Sequence, residues 1–215
     1  MSSRTGCNGQ TAHYARPSPA RRHNVTSRRL RPRIGTGRKV GKGAFCMTQT
    51  TTSPPFSWPD IPFVTPLTRA QLAAAGVPEG WNFGMADVVR FHELDALNHV
   101  NNVAYFRWFE SLRIPYFTAY HLSSYQPDDP TLVVMTNTAR YHAPMFLNEA
   151  YVTVTRTASF RNSSFRMEYA TFSGGSLRAT GDCIVVCLEA DAATKRPLPE
   201  AAVQAFLSRD GATRE

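Results

Sequence analysis

Hydrophobic and polar positions between residues 61 and 215 change period several times, and each change marks an element. Thr68–Gly76 (TRAQLAAAG) reads as a short helix, with a threonine to cap its start and a glycine at its end. Met85–Glu93 (MADVVRFHE) reads as a strand. From about Asn101 to Ala119 the apolar side chains are so dense that only Arg107, Glu110, Ser111 and Arg113 interrupt them. Such a helix is buried on most sides, and at ~1.5 Å per residue it is roughly 27 Å long, enough to cross a sheet. Pro115 is expected to bend or end it.

Four β-rich segments follow, Thr131–His142, Ala150–Phe160, Phe165–Phe172 and Leu177–Ala190, separated by short turn signals at Pro144–Asn148, Asn162–Ser164 and Gly174–Gly175. The run VTVTRTASF alternates with a period of two, as a half-buried strand should, whereas CIVVCL is apolar on both faces and suits a central position. Pro199–Ser208 closes the chain as a short helix, and no internal repeat is present. The order β–α–β–β–β–β with hairpin-length links predicts an α+β protein, an antiparallel sheet folded around one long helix.

Composition divides the chain. Of its 215 residues, 42% are hydrophobic, enough for a packed core, and no apolar run approaches the roughly 20 residues of a membrane-spanning helix. The formal charge of +8 is a tail effect, because residues 1–59 hold eleven basic side chains and no acid. Residues 60–215 therefore carry 13 basic against 16 acidic residues, a net −3. Residues 1–60, basic and then Pro-rich (Pro54, Pro55, Pro59), predict a disordered tail and linker, continued by Pro62 and Pro66 up to the domain at 61–215. An Arg-rich, acid-free start suits targeting or the binding of nucleic acid or anionic lipid, although Pro17, Pro19 and Pro32 interrupt any amphipathic helix. The polar MTQTTTS after Met47 resembles an ordinary flexible start, which would leave residues 1–46 as upstream sequence read through in frame. No nucleic-acid or membrane partner is expected for the folded domain.

Cysteine chemistry adds little. Cys183 and Cys187 are four apart in one strand, on one face but too far apart to bridge, and no Cys/His set has metal spacing. A reducing cytoplasm and no structural metal are the expectation.

The densest chemistry lies in Asp95–Arg113, DALNHVNNVAYFRWFESLR. Asp95, Asn98, His99, Asn101 and Asn102 fall directly ahead of the long helix. A helix start presents unpaired N–H groups and partial positive charge, so it can hold developing negative charge. A carboxylate beside it can act as nucleophile or base while the amides take up an oxyanion. Each residue also has a structural use. Asp95 suits a loop or cap, His99 a cap or core position, Asn101 or Asn102 the helix cap, and Tyr105 packing. Glu110 and Arg113, three apart, suit a surface or interface ion pair.

The run FHELDALNHVNNVAYFRWFESLR resembles the signature of hotdog-fold acyl-CoA thioesterases, the 4-hydroxybenzoyl-CoA thioesterase group. ARYHAPMFLNEAYVTV, FRNSSFRMEYATF and TKRPLP fit the layout of that family, so the likeness runs from about Gly84 to Leu207. It implies a five-stranded antiparallel sheet wrapped around one long central helix, assembled as a homodimer or dimer of dimers with active sites at the subunit interface. It also implies hydrolysis of acyl-CoA to a free carboxylate and CoA, with no cofactor.

Asp95 matches the family's catalytic aspartate, acting as general base or nucleophile. His99, just before VNN, would orient the substrate or polarise its carbonyl. The backbone N–H near Asn102 falls where the family's oxyanion donor sits, and Asn98, Asn101, Asn102 and Tyr105 are substrate-binding candidates. Arg140, Tyr141 and Pro144 fall where the family's second strand approaches the partner's site. Arg161 and Arg166 are candidates for the phosphates of CoA. One departure matters: plant acyl-carrier-protein thioesterases place an asparagine two residues after the aspartate, where this chain has Leu97, so their Asn–His arrangement is not carried over. The alternative reading is a hotdog module that binds acyl-CoA without hydrolysing it, for which a carboxylate at Asp95 has no evident use.

Overall fold

The computed structural model describes residues 61–215. The expectations for the basic tail, the Met47 start and the linker up to Asp60 lie outside the described residues. Pro62 and Pro66 belong to a segment that packs rather than links. Ile61 and Leu67 are buried, and Phe63 and Pro66 bridge to Ala86 and Met85.

In chain order the elements are α1 (Arg69–Ala74), β1 (Phe83–Val88), α2 (Asn102–Ala119), β2 (Thr131–Tyr141), β3 (Ala150–Phe160), β4 (Ser164–Ser173), β5 (Ser176–Leu188), α3 (Glu200–Ala205) and β6 (Thr213–Arg214). The sheet order is β1-β3-β4-β5-β2, all antiparallel, and β6 adds a two-residue parallel pairing to Ser159 and Phe160 of β3. The expected five strands are present, with β6 as an addition. Gly174 and Gly175, both at positive φ, make the two-residue hairpin between β4 and β5 that side chains with a Cβ would resist.

One long helix lies against one face of this sheet, as the apolar density of residues 101–119 requires. Asn101 caps it, its side chain accepting the Val103 N–H at 3.0 Å. Phe109 stacks on Tyr169 at 4.5 Å and Trp108 on Tyr151 at 4.0 Å. At Gly181 the Phe109 side chain packs directly on the β5 backbone, and any Cβ would stand 2.7 Å from the Phe109 ring and 2.6 Å from the Thr138 carbonyl.

Four expectations change. The first strand ends at Val88, and Phe91–Glu93 forms a short 3-10 turn, because Glu93 caps it by accepting the Arg90 N–H. Pro115 does not end α2, which continues to Ala119 among buried Tyr116 and Phe117; packing outweighs the one lost hydrogen bond. Arg113 is buried and donates to the Tyr169 hydroxyl, so it forms no surface ion pair with Glu110. Finally, β3 is buried on both faces. Tyr151 joins the core under α2, and Thr157 bonds Tyr116 there, whereas Val152 and Val154 face outward beneath Leu72, Ala75 and Val77. Its alternation is real, but α1 and residues 61–67 cover the face that would otherwise meet solvent.

The C-terminal segment is held by a half-buried carboxylate. Asp210 accepts hydrogen bonds from the Tyr116 and Tyr120 hydroxyls and from the Thr157 N–H at 2.6–2.8 Å. Burial pushes its pKa up, and the three donors pull it back.

Candidate active site

Asp95 and His99 are the ends of a tight loop between β1 and α2. An antiparallel bridge joins Leu94 to Val100, Asp95 N–H donates to the His99 carbonyl at 2.8 Å, and Asn98 N–H donates to the Asp95 carbonyl at 3.1 Å. Asn98 adopts a left-handed φ of 59°, which asparagine tolerates better than most residues, so its part here is the turn. Asp95 Oδ1 accepts the Leu97 N–H at 2.8 Å and the His99 N–H at 3.3 Å. Among the described residues Asp95 Oδ2 has no hydrogen-bond partner. The capping use and the reactive use of this carboxylate therefore fall on different oxygens.

The loop is fixed from behind. Asn101 N–H donates to the Glu93 carbonyl at 2.7 Å, and Val100 N–H donates to the Met145 carbonyl at 2.9 Å. Glu93, buried, spends both carboxylate oxygens on protein donors, Trp108 Nε1 and the Arg90 N–H, each at 2.7 Å. These bonds set where α2 begins.

A hollow of about 420 Å³ opens there, and six of the expected residues line it: Asp95, His99, Asn102, Tyr105, Tyr141 and Pro144. The Asn102 N–H, the first of α2, has no acceptor among the described residues, as the first amides of a helix do not. His99 meets Phe146 edge-on at 5.3 Å. Tyr105 is buried between Trp108 and Tyr141, with ring centroids 4.8 and 5.1 Å away. Burial first, then Glu149 and Tyr141, pushes its phenol up to about 12, and it stays protonated at neutral pH.

Five candidates stand elsewhere in the single chain. Asn101 is spent on the helix cap, and Asn98 is exposed in the turn. Arg140 lines a hollow on the sheet face turned away from α2, with Trp81 and Thr138. Arg161 pairs with Glu215 at 2.9 Å, and Arg166 lies 3.3 Å from Glu168 and 3.7 Å from Asp182. Among the described residues no group of three or more His, Cys, Asp or Glu is placed to hold a metal ion, and no helix is long and apolar enough to cross a membrane.

A family model, the Thioesterase-like superfamily, matches residues 89–206, more than half of the chain. The chain belongs to this superfamily. Its sheet and central helix are the hotdog fold of thioesterases. A thioesterase superfamily protein of Jannaschia sp. CCS1 is 42% identical, with a TM-score of 0.68 over 70% of this chain and 97% of its own. A thioesterase from Thermus thermophilus, solved with coenzyme A and Zn, is 31% identical, with a TM-score of 0.55 over 62% and 98%. A 1,4-dihydroxy-2-naphthoyl-CoA thioesterase from Synechocystis, 17% identical with a TM-score of 0.54 over 60% and 97%, shows a shared fold alone. No curated protein matches the chain.

This thioesterase-superfamily site contains residues that the sequence did not bring forward. Val100, His142 and Ala143 complete the lining of the hollow. Behind Tyr105 lies the ion pair of Glu149 and Arg178, with Nη2 and Oε1 2.9 Å apart. Glu149 Oε1 and Arg178 Nε are buried and, among the described residues, make no hydrogen bond. The Arg178 carbonyl accepts the His142 and Ala143 N–H groups, and Glu149 Oε2 accepts the Phe146 N–H at 2.9 Å. The pair's residues thus brace the His142–Ala143 wall of the hollow. Its members are 29 positions apart in sequence and carry no local signal.

Proposed function

We propose that the protein is an acyl-CoA thioesterase, hydrolysing acyl-CoA with water to a carboxylate and CoA. The observation that carries this reading is one hollow holding both an uncommitted carboxylate oxygen, Asp95 Oδ2, and the free Asn102 N–H at the positive end of an 18-residue helix. The Thermus thermophilus thioesterase, solved with coenzyme A, supports a CoA ester as the substrate class.

In this reading the thioester carbonyl lies with its oxygen toward the Asn102 amide. Asp95 Oδ2 takes a proton from water as the water oxygen attacks the carbonyl carbon. The negative charge that develops on the carbonyl oxygen is held by the helix start, and collapse of the tetrahedral intermediate expels the CoA sulfur. His99 orients the acyl group from the same wall. The thioester is already activated, so these steps need no cofactor.

The exposed edge strand β2 supports assembly. Val133, Val134 and Met135 are 37%, 41% and 62% exposed on a strand with one unpaired side, an edge that proteins rarely leave open. A homodimer, or a dimer of dimers, closes this edge, and a partner's CoA is then a ligand for Arg140 or Arg161.

Thiol release from a panel of acyl-CoAs, wild type against Asp95→Asn, tests the reading. Loss in the variant supports it, and equal rates sink the role of Asp95. A wild type that binds acyl-CoA and releases no thiol is the non-catalytic module instead. In a single turnover in ¹⁸O-water, label appearing in the Asp95 carboxylate shows nucleophilic attack, since only a mixed anhydride opened at the Asp95 carbonyl puts it there.

A further inference from the structure

The connection from β2 to β3, residues 142–149, supplies His142, Ala143 and Pro144 to the hollow and is tied to the segment that carries Asp95. Met145 accepts the Val100 N–H on its carbonyl at 2.9 Å. The Glu149 carbonyl accepts the Val89 N–H at 3.0 Å, and the Val89 carbonyl accepts the Asn148 N–H at 2.9 Å. Between these ties Phe146 sets its ring edge-on to the half-buried His99, with centroids 5.3 Å apart. Phe146 is 50% exposed, so core packing alone does not fix its ring, and its place follows from its main chain.

That main chain is held by Glu149. The Phe146 carbonyl accepts the Glu149 N–H at 3.1 Å, and Glu149 Oε2 accepts the Phe146 N–H at 2.9 Å, closing a four-residue turn in which Asn148 takes a φ of 63°. The other oxygen, Oε1, stands 2.9 Å from Arg178 Nη2 of β5, and the Arg178 carbonyl receives the His142 and Ala143 N–H groups. Glu149 Oε1 and Arg178 Nε are nonetheless buried without a hydrogen bond among the described residues, a costly arrangement. Apolar side chains of similar volume often replace such a pair with no loss of stability. What they cannot do is accept the Phe146 N–H.

We propose that Glu149 is a positioning residue for the site: held by Arg178, its carboxylate fixes the Phe146 turn and, through the Phe146 ring, the place of the His99 imidazole. The kinetic consequence rests on the thioesterase reading; the placement of His99 does not.

Two measurements on the full chain test this. In histidine-labelled protein, the ring resonance of His99 is assigned as the one missing from His99→Gln. It shifts in Phe146→Ala, and it shifts likewise when Glu149→Leu is combined with Arg178→Met, a replacement that fills the wall but cannot accept the turn N–H. Circular dichroism and Tm show that these variants fold. In thiol release from acyl-CoA, the combined replacement lowers kcat about ten- to a hundredfold and leaves KM nearly unchanged, because misorientation beside the reacting carbonyl acts in the transition state. Glu149→Gln, which keeps an acceptor for the Phe146 N–H, retains more of kcat. In a His99→Gln background the combined replacement costs no more than about a further twofold. Two results overturn the proposal: a His99 resonance unmoved in the folded combined variant, or kcat losses that multiply in full with that of His99→Gln. A wild type that releases no thiol sinks the thioesterase reading instead, and the His99 resonance then decides the positioning by itself.

Discussion

Asp95 Oδ1 receives the backbone N–H of Leu97 at 2.8 Å, so one oxygen of this carboxylate shapes the very loop that presents the other. An asparagine at 95 keeps an acceptor for the turn and removes the charge. Asp95→Asn is therefore expected to lower thiol release by about 10²–10⁴-fold with little change in urea stability. Asp95→Ala should lose the turn bond as well and fall by about 1 kcal/mol in stability. A stable, fully active Asp95→Asn would remove the residue from the chemistry.

Glu93 and Trp108 fix the start of the helix through one buried contact. Glu93→Ala leaves the buried Trp108 N–H without its acceptor, at about 1–3 kcal/mol, and frees the Arg90 N–H as well. In a double-variant cycle read by urea unfolding, Trp108→Phe is expected to destabilise the Glu93→Ala background less than the wild type. Additive losses would show that the two residues are not coupled.

Gly181 leaves room for the Phe109 ring against β5. Gly181→Ala places a methyl within 2.7 Å of Phe109 and 2.6 Å of a backbone carbonyl that cannot swing aside. The expected loss is about 1–3 kcal/mol, visible as a lower Tm. An unchanged Tm would mean that helix and sheet separate more easily than their packing indicates.

Asp210 predicts a pH effect of a particular sign. Burial raises its pKa in the folded chain, so the folded chain holds that proton more tightly than the unfolded one. Its contribution to stability is present below the unfolded value, about 3.9, and is lost as pH rises through the folded value. Asp210→Asn does not titrate. Urea stability of the wild type relative to this variant should thus decline as the pH is raised from about 3 through the carboxylate range, and a margin that widens would reverse the assignment.

Much of the architecture was legible because its signals are local. The Thr68 cap, the span of β3 from Ala150 to Phe160 and the Gly174–Gly175 hairpin each need only neighbouring residues. So did the gathering of Asp95, His99 and Asn102 at one helix start, since they are close neighbours in a single segment. Arg113 misled because a charged residue on a helix reads as exposed, whereas a Tyr169 hydroxyl from β4 awaits it in the core. The valines of β3 misled because their covering, from α1 and residues 61–67, comes from a distant, earlier part of the chain.

The sequence by itself determined the order of elements, the burial of the central helix and the family, since hydrophobic period and motif spacing are properties of neighbours along the chain. Only the tertiary structure decided which oxygen of Asp95 is free, what braces the His142–Ala143 wall, and that Tyr151 lines a second cavity between β1 and α2. Those facts depend on distances between side chains from separate strands and helices, and chain spacing does not encode such distances until the sheet has closed around the helix.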